Sequence, residues 1–132
     1  MTRITRKELM HVAEIATSPR RRAPAPGGPT AALLTTAETS DQVAVLHVEL
    51  PAGAAMPEHD HGASQIVLIP LAGSVELHHN GQARTLTAGT AAAHIARGER
   101  VSLTNPGDQP ASLMVVASPP EFADRLASWP PA

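Results

Sequence analysis

From Ala31 onward, short apolar segments alternate with turn signals, and this alternation constrains the fold more than any other feature of the sequence. Segments with this spacing are typical of the strands of an all-β sandwich or barrel. The pattern predicts strands at residues 31–37, 43–50, 65–71, 73–79, 82–87, 91–95, 100–104 and 111–117.

Two turn signals identify tight connections between consecutive strands. Asn80-Gly81 favours a type I′ turn, whose twist matches that of paired strands, so residues 73–79 and 82–87 should form a hairpin. The run from Asn105 to Asp108 predicts a second turn.

The N-terminal region has a different character. Residues 5–16 show helical spacing and a capping-box pattern, although a strand followed by a loop is the alternative. Residues 18–30 carry four prolines and a pair of glycines, which predicts a linker without regular structure. The arginines at 20–22 are interpreted as part of a solvated linker, with a contact to phosphate or an acidic partner as the alternative.

The C-terminal region, residues 119–128, is predicted to form a helix after Ser118. Its Phe122, Leu126 and Trp129 can pack on the barrel or on a second subunit. Phe122 and Trp129 are the only Phe, Trp or Tyr residues in the chain, so we expect the barrel body to offer no aromatic platform for sugar rings or flat polyphenols.

Length and composition predict the number of domains and exclude some kinds of partner. The 132 residues suit one domain, divided as residues 1–30 (N-terminal segment and linker), 31–117 (barrel) and 118–132 (helix and tail). The chain has no Cys, and its net charge of −2 offers no field that would recruit nucleic acid. We expect a cytoplasmic protein, because the apolar runs are too short to cross a membrane and no signal-peptide core follows the early basic residues.

Strand 43–50 alternates cleanly. Leu46, Val48 and Leu50 share one face, which we interpret as the barrel interior, and His47 falls on the opposite face.

A histidine cluster follows this strand. His59 and His61 are two residues apart, so on a strand their imidazoles would point to the same side and could converge on a metal ion. The amide oxygen of Gln65 could supply a third ligand, and structural or solvent-facing histidines are the alternative.

These residues resemble the first cupin motif, G-x5-H-x-H-x3-E-x6-G, with Gln65 in the glutamate position and Gly73 one residue late. Residues 89–105 resemble the second motif, G-x5-P-x-G-x2-H-x3-N, through Gly98 and Asn105, but Val101 stands where the family has its third histidine. The resemblance covers residues 31–117 and implies an all-β, RmlC-like jelly-roll barrel. The residue patterns add a short C-terminal helix and a possible N-terminal helix to it.

Three functions follow from the resemblance. The first is a metal site for Zn, Mn, Fe or Ni on His59, His61 and Gln65, with His94 as an alternative further ligand, in an enzyme of the dioxygenase, isomerase or lyase type. We expect His78 and His79 to be exposed at the hairpin tip instead.

The second function is a metal-free barrel that binds or senses a small molecule in an apolar cavity, and the third is an interaction subunit with a vestigial cavity. The resemblance also implies a homodimer, and we expect no membrane partner. The predicted cavity-lining residues are Leu46, Val48, Leu50, Val67, Ile69, Val101 and Leu103.

Overall fold

The computed structural model describes residues 10–132, and within them it confirms the predicted all-β architecture with one short C-terminal helix. The strands are β1 (Arg20–Arg22), β2 (Thr30–Thr35), β3 (Ala44–Leu50), β4 (Ala55–His59), β5 (Gln65–Ala72), β6 (Ser74–His79), β7 (Gln82–Thr87), β8 (Ala93–Ile95), β9 (Val101–Thr104) and β10 (Ala111–Ser118), and the helix is α1 (Phe122–Ala127). Among the described residues, no helix is long and apolar enough to cross a membrane.

The strands form two antiparallel sheets. One has six strands in the order β1-β2-β3-β10-β5-β8, and the other has four in the order β4-β9-β6-β7. Buried apolar side chains from both sheets, such as Leu68 of β5 and Val101 of β9, form a single cluster that Leu126 of α1 joins. This is the jelly-roll arrangement in which two packed sheets enclose an interior.

The predicted Asn-Gly hairpin is confirmed. β6 pairs with β7, and the last pair before the turn is His79 with Gln82. Asn80 and Gly81 both adopt positive φ angles, 51° and 75°, as a type I′ turn requires.

Asn105 anchors the second predicted turn. Its buried amide donates hydrogen bonds to the carbonyl of Leu50 at 3.1 Å and to that of Gln109 at 2.8 Å. Its Oδ1 accepts one from the N–H of Gly107 at 3.1 Å. The turn between β9 and β10 is therefore held against the end of β3, because a buried amide is stable only where its donors and acceptor are satisfied.

The N-terminal expectations need correction. Residues 5–9 of the predicted helix lie outside the described residues, and residues 10–16 are not helical. β1 falls within the predicted linker and pairs with β2, from Arg20 opposite Ala32 to Arg22 opposite Thr30. Its edge partners come from the far end of the chain, which local sequence could not reveal: the Arg22 N–H donates to Pro130 and the Arg20 carbonyl accepts from Ala132.

Arg20 is not a solvated linker residue. Its guanidinium lies 3.1 Å from Nδ1 of His47 and donates to the hydroxyl of Thr30. His47 is on the face of β3 opposite Leu46, as predicted, but it is buried. Burial, and then the charge of Arg20, lower the pKa of His47.

Two further elements differ from the prediction. β4 was not predicted as a strand, because Pro57 and the charged Glu58 break its apolar alternation. Helix α1 is shorter than residues 119–128 and begins after Glu121, which makes no side-chain capping bond.

Candidate functional site

A cavity of about 610 Å³ lies between the two sheets. Its walls are aliphatic side chains from both sheets, among them Leu46 on β3, Leu77 on β6 and Val115 on β10. Its size falls within the usual range for small-molecule sites, which are mainly apolar with a few polar groups.

The structure places four of the seven predicted lining residues in the cavity wall and three elsewhere. Leu46, Val48, Val101 and Leu103 line the cavity. Leu50 is fully buried in the core but is not part of the cavity wall. Val67 and Ile69 lie on the outer face of β5. Ile66 and Leu68 lie on its opposite face and are buried. β5 is apolar on both faces, so its sequence does not reveal which parity points inward.

One part of the wall comes from the Pro/Gly-rich loop between β1 and β2, residues 23–29. The N–H of Ala23 donates to the carbonyl of Pro29 at 2.9 Å and so closes the base of this loop. The side chain of Arg21 donates to the carbonyl of Trp129 at 2.8 Å, which ties the base of the loop to the C-terminal segment. The predicted linker is thus a cavity wall.

The two aromatic residues also line the cavity. Phe122 begins α1 and Trp129 follows its end. The barrel strands carry no aromatic platform of their own, but the C-terminal tail brings both rings onto the cavity wall.

His59 and His61 lie side by side in the cavity wall, with their ring centroids 4.7 Å apart in an edge-to-face arrangement. His59 is the last residue of β4, whereas His61 lies in the turn that follows, so strand parity is not what brings them together. Nδ1 of His59 donates to the carbonyl of Pro57 at 2.7 Å. This bond fixes the tautomer and leaves Nε2 of His59 with a free lone pair.

His61 is the more deeply placed of the two. It is buried, and within the described part of the chain its Nδ1 has no hydrogen-bond partner. Its ring also meets Phe122 edge to face at 4.7 Å. Burial, helped by the neighbouring His59 and Arg125, lowers the pKa of His61 to about 4, so the ring is neutral at physiological pH.

Arginines hold the loop that carries the histidines. Arg125 of α1 donates to the carbonyl of Asp60 at 2.8 Å, and Arg97 donates to that of Ala63 at 2.8 Å. The Asp60 carboxylate accepts a hydrogen bond from the N–H of Gly62. This bond is the main cause of the lowered pKa of Asp60, and the charges of Arg125 and Arg100 lower it further. Gly62 has a φ of 62°, and a Cβ there would lie 2.7 Å from Nη2 of Arg125, so only glycine fits without displacing the arginine.

Gln65 does not join the histidines. Its Oε1 accepts a 2.8 Å hydrogen bond from Nε2 of His94, and His94 is exposed on the neighbouring edge strand β8. Gln65 shares the outward parity of Val67, and neither Gln65 nor His94 lines the cavity. The structure therefore places both predicted ligands outside the cavity.

His78 and His79 are half-buried rather than fully exposed. Nε2 of His78 lies 3.1 Å from Oγ1 of Thr104, and Nε2 of His79 lies 3.0 Å from a carboxylate oxygen of Glu99. Both histidines therefore contact residues beside the β6–β7 hairpin, and neither lines the cavity.

The four-ligand site of the resembled family does not fit this cavity. Gln65, at the glutamate position of the first motif counted from His61, does not line the cavity, and its neighbour Ile66 takes the buried side of β5. Val101 lines the cavity and pairs with His59 on the adjacent strand. No group of three or more His, Cys, Asp or Glu residues suited to a metal occurs within residues 10–132. The donors in the cavity are two imidazoles, without a carboxylate.

Sequence reasoning missed Arg125 as a cavity residue. Its guanidinium carbon lies 5.9 Å from the centroid of the Phe122 ring, in a cation–π contact. Phe122, Arg125 and Leu126 are three and four positions apart, so they share the helix face that lines the cavity. That spacing was visible in the sequence, but which surface the face covers was not.

Fold and site together define a small jelly-roll barrel with one apolar cavity beside a histidine pair. The family model described as Cupin domain matches residues 46–117, so the chain belongs to the cupin family. No curated protein matches the sequence.

Solved structures support this assignment at the level of the fold. KdgF from Halomonas sp. is 14% identical, with a TM-score of 0.71, and the match covers 83% of this chain and 94% of that one. An RmlC-like cupin from Shewanella frigidimarina is 16% identical, with a TM-score of 0.69 and coverage of 83% and 91%. The polyketide cyclase RemF from Streptomyces resistomycificus is 23% identical, with a TM-score of 0.62 and coverage of 89% and 79%.

Proposed function

We propose that this cupin binds a small, mainly apolar organic molecule inside its barrel without a resident metal ion. The observation that carries the proposal is Val101, a buried aliphatic residue that lines the cavity at the position where the second family motif has a histidine. Gln65, at the glutamate position of the first motif, does not line the cavity, so the interior is apolar where a metal would need charged or basic donors.

The histidine pair supplies the polar contacts in this proposal. Nε2 of His59 is an acceptor, because Nδ1 already donates to Pro57. Nδ1 of His61 is buried without a partner among the described residues. A ligand hydroxyl or carbonyl that satisfied it would remove the energetic cost of that unpaired group, and so favour one orientation of the ligand.

The test is binding of N-phenyl-1-naphthylamine, a neutral apolar probe whose fluorescence rises on burial, to protein whose metal content has been measured. We expect saturable binding to metal-free protein. Val115→Trp should weaken it, because residue 115 lines the cavity, and Val116→Trp should not, because Val116 lies on the other face of β10. Binding that is equal in both variants, or that requires added metal, would contradict the proposal.

A divalent ion on the histidine pair is the second candidate. It is supported by the hydrogen bond from Nδ1 of His59 to a backbone carbonyl, the arrangement that orients metal-binding histidines in proteins. His59 and His61 would hold the ion, which would act there as a Lewis acid, and Gln65 would not. Elemental analysis of untagged protein beside the His59→Ala/His61→Ala variant tests this candidate, and stoichiometric Zn, Mn, Fe or Ni that disappears in the variant would favour it.

We also propose a homodimer, as the family resemblance implies. The outer face of β5 exposes two large apolar side chains, Ile69 and Leu71. Light scattering coupled to size exclusion should give twice the mass of the chain. Ile69→Lys/Leu71→Lys should shift it to monomer, while Thr85→Lys on exposed β7 should not. A monomeric wild-type protein would overturn this proposal.

A further inference from the structure

The charge around the cavity has one sign. Among the described residues that line it, Arg125 is the only one with a permanent charge, and the lining contains no Asp or Glu. His61 is buried beside it, and the rest of the wall is predominantly aliphatic, aromatic or backbone. About half of the Arg125 side chain is exposed, but the apolar wall beside it screens its charge less than water would on that side, which favours an anion at the cavity edge.

The position of Arg125 is fixed by its contacts. Its Nη1 donates to the carbonyl of Asp60, and its guanidinium packs beside the Phe122 ring. Ser64 in turn accepts a hydrogen bond from the N–H of Phe122, so the start of α1 is attached to the histidine loop. An arginine held in place loses little side-chain entropy on binding a ligand.

Asp60 forms a loose salt bridge with Arg125 and compensates its charge only in part. Its nearer carboxylate oxygen is 3.7 Å from Nη2 of Arg125, beyond hydrogen-bond distance. The same carboxylate accepts the N–H of Gly62 and lies 3.5 Å from Arg100, so its charge is shared between two arginines. A guanidinium has five N–H donors, and Arg125 uses one of them in a hydrogen bond within the described residues.

We propose that the ligand of this cavity is an amphipathic carboxylate, with its apolar body between the two sheets and its carboxylate on Arg125. This inference rests on the proposed function, since it requires that the cavity takes an apolar molecule. A carboxylate matches the planar, bidentate geometry of a guanidinium and forms charge-assisted hydrogen bonds that are about twice as strong as neutral ones.

The experiment compares octanoate with 1-octanol, two probes with the same apolar chain and different head groups. Trp129 is the only tryptophan of the chain and lines the cavity, so its fluorescence reports binding directly. We expect wild-type protein to bind octanoate roughly tenfold more tightly than 1-octanol, with the difference shrinking at high salt.

The variants separate charge from structure. Arg125→Gln should bring octanoate affinity down to that of 1-octanol and leave 1-octanol affinity unchanged, whereas Arg125→Lys should keep most of the preference. Arg84→Gln is the matched control, because it removes the same charge from an exposed residue of β7 that does not line the cavity. Melting temperatures establish that each variant is folded.

The outcomes distinguish the two proposals. If 1-octanol binds but octanoate binds no better, or if Arg125→Gln keeps the preference for octanoate, the carboxylate inference fails while the apolar cavity stands. If neither probe binds, the proposed function fails and the inference with it. A preference that is lost in Arg125→Gln and kept in Arg84→Gln supports both.

Discussion

The hydroxyl of Ser64 accepts a 3.2 Å hydrogen bond from the backbone N–H of Phe122 and donates a 2.6 Å hydrogen bond to the carbonyl of Pro119. Ser64 is fully buried and comes three residues after His61. One side chain therefore connects the histidine loop to the start of α1, the helix that brings Phe122 and Arg125 to the cavity.

Removing this hydroxyl should loosen the connection. Ser64→Ala leaves the part-buried N–H of Phe122 and carbonyl of Pro119 without their partner, which we expect to cost about 1–3 kcal/mol of unfolding free energy. Urea denaturation measures this loss. Ser74→Ala is the control, because the Ser74 hydroxyl contacts Thr87 on the surface, and its loss should cost only a few tenths of a kcal/mol. Equal effects of the two substitutions would contradict the role given to Ser64.

His61 should make the stability depend on pH. Its pKa is lowered to about 4 in the folded protein from an ordinary value of 6.5, so between these values the unfolded chain binds more protons. The free energy of unfolding should therefore fall as pH drops below 6.5, by about 2 kcal/mol at pH 5.

Chemical denaturation at pH 7.5 and pH 5, with a chelator present, measures this difference. His61→Leu should lose most of it, while His94→Leu should keep it, since it leaves His61 in place on the cavity wall. A His61→Leu protein as sensitive to acid as the wild type would show that another group causes the loss.

The aliphatic side chain of Val101 offers no metal-binding atom to the cavity. Its Cα pairs with that of His59 across β4 and β9, and its side chain lines the cavity. Val101→His would add a third imidazole beside the existing pair, so the affinity for Zn²⁺ should rise at least about tenfold. Isothermal titration with Zn²⁺ measures it, and Val116→His on the outer face of β10 should bind no better than the wild type.

Gln65 should contribute nothing to the cavity. Because its side chain is bonded to His94 outside the barrel, Gln65→Ala should leave the affinity for N-phenyl-1-naphthylamine and for added Zn²⁺ unchanged. His59→Ala, a substitution in the cavity wall, should change at least one of the two. Weaker binding in Gln65→Ala would mean that Gln65 turns inward in solution.

Much of the fold could be read from local sequence. The hairpin at Asn80-Gly81 was predictable because positive φ angles at two successive residues select few side chains. The inward face of β3 was predictable because Leu46 and Val48 alternate with polar residues. β5 has no such alternation, and the same reasoning there assigned Val67 and Ile69 to the wrong face.

The candidate site was predictable in part. The H-x-H pattern singled out His59 and His61, and both line the cavity, although a turn rather than strand parity brings them together. Gln65 was predicted as a metal ligand from its spacing to His61. Neighbouring residues of a strand point to opposite sides, and in β5 it is Ile66, not Gln65, that points inward.

The sequence by itself determined the all-β class, the hairpin, and the substitution of Val101 for a metal-binding histidine, because these depend on local backbone preferences and on residue identity. Only the tertiary structure decided that residues 23–29, Phe122, Arg125 and Trp129 form the remaining cavity wall. These residues come from opposite ends of the chain, and β1 and the C-terminal tail meet through backbone hydrogen bonds that any sequence can make. No local pattern encodes such a contact, so the charge and the aromatic surface of the cavity became visible only once the barrel had brought the two ends together.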